Sequence, residues 1–100
     1  MNDPNITATK FVELSRLAGV ANTDFEKAAV FAAAEALAAQ FNVDEEGYSA
    51  FAMECVASAR LNICAAVGYA AASTHDRGQH AASALAAAIA LRGELKKRGV

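Results

Sequence analysis

The sequence predicts an all-α fold, a compact bundle of about four helices, on three observations. Alanine fills 27 of the 100 positions, and it is the strongest helix former because it loses no side-chain entropy in a helix. Apolar residues recur with helical spacing, and no stretch alternates as a strand would. Capping and stop residues punctuate the chain at helix-length intervals. One hundred residues make a single domain, 1–100, long enough to fold without staples.

The first helix starts after Asn5 to Thr7 and ends at Gly19, with a stripe of Phe11, Leu14, Leu17 and Ala18. Gly19 suits the left-handed position past a helix end, with Val20 folding back onto the last turn. Thr23-Asp24-Phe25-Glu26 has capping-box spacing, so the second helix starts there and runs to about Phe41. Its bulky members are Phe25, Val30, Leu37 and Phe41. Asp44 can cap a third helix from about Glu45 to Ala72, which Gly68 could kink or end early. That helix is apolar nearly all round (Tyr48, Phe51, Cys55, Val56, Ile63 and Val67), which makes it the central, most buried one. The fourth runs from about Asp76 to Arg98, with a seam of Ala81, Leu85, Ala88, Ile89 and Leu95. Lys96, Lys97 and Arg98 complement its dipole, and Gly99 can terminate it.

Large core formers are few: five Phe, two Tyr and no Trp within an apolar share of 55%. Small side chains let helices approach closely but bury less area per residue. Modest stability follows, or help from a second subunit, as in a homodimer.

The polar start Met1-Asn2-Asp3-Pro4 shows no basic n-region or apolar h-region, so no targeting segment is expected, and the longest apolar run, Ala50 to Ser73, is interrupted by Glu54, Arg60 and Asn62. No membrane association is expected. Cys55 and Cys64 lie nine apart on one helix, point to opposite faces and cannot pair with each other. Two buried thiols fit a reducing cytoplasm.

Net charge is −2 but unevenly spread. Residues 1–54 hold three cations against nine carboxylates, a net of −6, whereas residues 55–100 hold six against two, a net of +4. An acidic surface steers basic partners toward it.

Catalytic and cofactor motifs are missing: no glycine-rich phosphate loop, no His-Glu-x-x-His and no paired His and Cys at a family spacing. No catalytic residue, cofactor or metal is therefore assigned. His75-Asp76-Arg77-Gly78-Gln79-His80 gathers two His and an Asp, but a metal site wants three or four converging ligands. These read as solvated turn residues.

Residues 11–30, with Leu17-Ala18-Gly19-Val20 as the turn, resemble the helix-turn-helix of bacterial repressors. A recognition helix needs cations for phosphates. Here it begins with Asp24 and Glu26 against Lys27, so direct DNA binding is not expected, and a DNA-binding regulator stands as the alternative function.

The candidate partner-binding residues are Asp44, Glu45, Glu46, Glu54, Phe31 and Glu35. The first three also suit a helix N-terminus for dipole reasons. Glu54, Ser58 and Asn62 form a polar stripe, either a solvated strip or a hydrogen-bonding face. Phe31 has Lys27 and Glu35 one turn to either side, a setting found at interfaces and equally under a neighbouring helix. By elimination the function lies in the surface: a non-enzymatic inhibitor or adaptor whose partner is a protein or nucleoprotein complex with a basic surface.

In length, alanine-rich helicity and acidic clusters, the chain resembles the small helical phage-encoded anti-CRISPR inhibitors of type I-F surveillance complexes. That resemblance implies a protein that sits on a crRNA-guided complex and blocks target DNA binding. It assigns no residue a role.

Overall fold

The computed structural model describes residues 4–43, 48–68 and 74–97. Four helices follow in order: α1 (Pro4–Val20), α2 (Asp24–Val43), α3 (Ala50–Val67) and α4 (Thr74–Lys97).

Pro4 opens α1 in the first turn, where a missing N–H costs no intrahelical hydrogen bond and the fixed φ already suits a helix. The helix buries Ala8, Phe11, Val12, Ser15 and Ala18. Leu17, expected in the stripe, is half-exposed instead. Three-residue steps from Phe11 through Leu14 to Leu17 drift backward by ~60° each, and this drift carries Leu17 off the core side. The buried Ser15 hydroxyl is satisfied by donating to the Phe11 carbonyl at 2.8 Å. Gly19 is not a left-handed stop, because the helix continues through Val20, which is exposed. The glycine instead makes room: a Cβ there would stand 3.3 Å from the Ala81 Cβ on α4.

The capping box of α2 forms as its spacing requires. The Glu26 amide donates to Thr23 Oγ1 at 3.0 Å, and Glu26 Oε1 accepts from the backbone N–H of Thr23 at 3.0 Å and of Asn22 at 3.2 Å. Those two amides hold the Glu26 carboxyl below the usual carboxylate value. Val30, Ala34, Leu37, Ala38 and Phe41 face the core. Phe25 does not and is 79% exposed; five residues before Val30, it lies ~140° round the helix from the buried side.

The cap of α3 is Ser49 rather than Asp44: Ser49 Oγ accepts from the Ala52 amide at 3.0 Å and donates to Glu94 Oε2 on α4 at 3.0 Å. The third helix is therefore shorter than expected at both ends. It stops at Val67, where the Gly68 N–H donates to the Cys64 carbonyl at 2.8 Å, and a Cβ on Gly68 would come within 2.8 Å of that oxygen. By length and composition alone α3 could cross a membrane. In the fold it packs against α1, α2 and α4, with Ala52, Cys55, Val56, Ala59, Ile63, Ala66 and Val67 buried. Phe51 and Leu61 are more than half exposed, so its apolar circumference is not wholly covered.

On α4 the buried seam is Ala81, Ala84, Ala88, Leu91 and Leu95. Leu85 is half-buried and Ile89 is 47% exposed. The helix starts at Thr74, two residues before the expected Asp76, and Gly99 lies outside the described residues.

Consecutive helices run antiparallel. Thr7 Oγ1 donates to Gln40 Oε1 across α1 and α2, and Glu35 meets Arg60 across α2 and α3. Ser49–Glu94 and Asn62–His80 tie α3 to α4. The ring closes where the Arg77 guanidinium donates to the Ala21 carbonyl just past α1. This is an up-down-up-down bundle. The pair α3–α4 packs most extensively, α1 and α3 touch across the middle, and α2 and α4 do not meet among the described residues. Phe11 and Phe41, and Phe41 and Tyr48, make tilted ring contacts at one end, with centroids 6.3 and 5.4 Å apart and planes inclined by 30° and 59°. Each aromatic pair adds ~0.5–1.5 kcal/mol beyond its buried area.

Candidate functional site

Of the six residues singled out in the sequence, three fall on described helices. Asp44, Glu45 and Glu46 lie outside the described residues. Phe31 and Glu35 sit one turn apart on the flank of α2 that borders α3. Glu54 is exposed on α3, six residues or ~9 Å along that helix from Arg60.

Glu35 is the centre of this surface. Its Oε1 accepts from Arg60 Nη1 at 2.9 Å and from Cys64 Sγ at 3.5 Å. Both ionic side chains stay partly in water, 45% exposed for Glu35 and 40% for Arg60. A pair so placed is worth ~0.2–1 kcal/mol, since water and salt screen it. Its effect is local: it neutralises Glu35, which therefore adds less to an acidic face than the sequence suggests. Cys64 is half-buried, and its thiol is pushed up to about 11, chiefly by burial and then by the Glu35 carboxylate. Cys55 is buried and its thiol is likewise raised, again by burial first. Both are poor nucleophiles at neutral pH, because the thiolate is the reactive form.

Phe31 stands 45% exposed one turn from Glu35, and Leu61, next to Arg60 in the chain, is 62% exposed. Phe31 is thus an exposed aromatic one turn from a neutralised ion pair, whereas Leu61 lies ~100° round α3 from Arg60. In the sequence Arg60 stands out as an interruption of an apolar run and as one of the six cations of residues 55–100. A lone cation within 18 helical residues asks for a partner, but nothing on its own helix points to Glu35.

The polar stripe on α3 divides. Asn62 Nδ2 donates to the Ser58 carbonyl at 2.9 Å, and its Oδ1 meets His80 Nδ1 at 3.2 Å. Ser58 and Asn62 therefore serve the α3–α4 junction, leaving Glu54 toward solvent. His80 belongs to this junction and is not the solvated turn residue that the sequence suggested. The side chain of His75 lies outside the described residues. Among the described residues no three His, Cys, Asp or Glu side chains gather as metal ligands would.

For the helix-turn-helix alternative, the relevant geometry is that of α1 and α2. Contact at Thr7–Gln40, far from the turn, shows them lying side by side. A helix-turn-helix crosses its two helices at about 90–120°. The N-terminus of α2 also presents Asp24 and a capping-box Glu26 where phosphate would approach.

Comparison with family models, with curated proteins and with solved structures returned no match for this chain.

Proposed function

We propose that this chain is a non-enzymatic protein-binding domain, an inhibitor or adaptor, acting in the cytoplasm through the outer surface of α2 and α3. The observation that carries this reading is the exposure of Phe31 beside the Glu35–Arg60 pair. An aromatic side chain left in water costs the fold burial that it could have had, and aromatics flanked by polar groups are the usual anchors of protein interfaces. Glu54 would add an acidic group toward a basic partner and speed encounter at low salt, and Asp44, Glu45 and Glu46 stand beside it as partner-binding candidates on their sequence alone. The two thiols with raised pKa favour this role over one in nucleophilic chemistry.

The narrower form is an anti-CRISPR protein that occupies a crRNA-guided surveillance complex and blocks its target DNA. It is supported by likeness in size, helicity and acidic clusters. The experiment is target-DNA binding by a purified type I-F complex with and without the protein, beside the variants Phe31→Ala and Glu54→Lys. Inhibition by the wild type, weakened in both variants with helicity unchanged, supports the narrow form. Capture of a different protein partner that both variants lose supports the broad form alone. Wild type and both variants behaving alike would remove this surface from the function. Salt-sensitive DNA binding by the protein itself would favour the regulator reading.

A further inference from the structure

The outer side of α1, opposite its buried residues, carries Ile6, Lys10, Glu13 and Leu17, all of them exposed. Their spacing alternates four and three residues, the repeat by which one helix packs along another. Ile6 is 55% exposed and Leu17 51%. A shallow groove on this side is lined by Ile6, Thr9, Lys10 and Glu13. Those four stand at i, i+3, i+4 and i+7, the diamond that makes a hole for a side chain of a facing helix. Among the described residues the side chains of Lys10 and Glu13 form no hydrogen bond or ion pair, with each other or with any neighbour. α1 also lies open to a second helix. It touches α3 across the bundle, while α2 and α4 do not meet among the described residues, which sets α1 on a broad side of a flattened bundle.

We propose that this side of α1 is a self-association seam, covered by α1 of a second copy running antiparallel. It does not rest on the reading of α2 and α3 given above. The order of the side chains selects the occupant. Lys10 and Glu13 lie equally far from a midpoint between Phe11 and Val12, and so do Ile6 and Leu17. A two-fold axis through that midpoint sets Lys10 of each copy against Glu13 of the other, and Ile6 against Leu17. Two ion pairs form at the centre, with an aliphatic contact at either end. Glu13 of the second copy comes over the groove, its carboxylate beside Lys10. A parallel pair would set lysine against lysine and glutamate against glutamate. A partner of one charge sign would match one of these two side chains and repel the other.

The seam from Ile6 to Leu17 is ~17 Å long. One helix face of that length covers less than the ~800 Å² per partner of a standard interface, so the dimer is weak and concentration-dependent.

Sedimentation of the full chain from about 10 μM to about 1 mM tests this, a range that spans weak dissociation constants. The expected mass rises from one copy toward two. Leu17→Glu and, independently, Ile6→Glu hold it at one copy, with helical circular dichroism as the check on folding. Lys10→Glu alone and Glu13→Lys alone each weaken association several-fold, because each sets like charges against one another. An equimolar mixture of those two variants associates again, as does the chain that carries both changes. A wild-type monomer throughout the range overturns the proposal, as does a dimer that both Leu17→Glu and Ile6→Glu leave intact. Failure of the mixture to associate overturns the antiparallel register.

Discussion

Gly19 lies against Ala81, so close that a methyl on the glycine would stand 3.3 Å from the alanine Cβ. This contact lets α1 and α4, distant in sequence, close the ring of helices.

A larger side chain must therefore push the two helices apart. Gly19→Leu should cost ~1–3 kcal/mol by overpacking, or roughly 4–8 °C in Tm per kcal/mol for a domain of this size. Thermal denaturation reads this directly. A stability equal to wild type would mean that α1 and α4 can separate without loss.

The capping box of α2 gives a second measurement. Thr23→Ala removes the acceptor of the Glu26 amide and should cost ~1 kcal/mol. Glu26 adds a pH dependence. Its carboxyl is held below its ordinary value of 4.5 in the fold. The contribution is therefore whole above that pH and is lost as pH falls through the lower folded value. Glu26→Gln keeps a side chain that can accept the same bonds but does not titrate. Its urea midpoint should fall less steeply than that of wild type below about pH 4.5.

Ala59 is fully buried on α3, where α3 meets its neighbours through small side chains. Ala59→Leu should cost ~1–3 kcal/mol. Chemical denaturation checks it. A neutral outcome would place a void beside Ala59 large enough for three more carbons.

Cys64 should resist modification. Relative to a thiol at 9.0, one near 11 carries far less thiolate at neutral pH. In a Cys55→Ala background, a disulfide reagent near pH 8 should react much more slowly with native than with unfolded protein. Glu35→Gln should speed the native reaction, since the Glu35 contact and its charge both raise the thiol. The sign for stability follows: the thiol's contribution is whole below pH 9 and is lost as pH rises through about 11. Equal rates in native and unfolded protein would place Cys64 in open water.

Helix identity was legible because capping chemistry is local. Thr23 and Glu26 are three residues apart and need nothing else to mark the start of α2. Which side of each helix turns inward was less legible. Alanine fits core and surface alike, so the larger residues had to decide, and Leu17, Phe25 and Ile89 stand outside. The start of α3 was misplaced because Asp44 and Ser49 are both good caps. Ser49 has in addition Glu94, 45 residues away, to hold its hydroxyl. The candidate surface was legible for Phe31 and Glu35, whose charged and apolar neighbours lie on their own helix. It was not for Arg60 and Cys64, which reach Glu35 only through the pairing of α2 with α3.

The missing contact between α2 and α4 has a dynamic consequence. Among the described residues α1, α3 and α4 all touch one another, whereas α2 meets α1 and α3 but not α4. α2 is thus the helix whose release forfeits the fewest neighbours, and a partly opened state would keep the other three together. Amide hydrogens along α2 would exchange with solvent first, ahead of those in α3 and α4, and Phe31 and Glu35 would ride on the segment of the bundle that opens most readily.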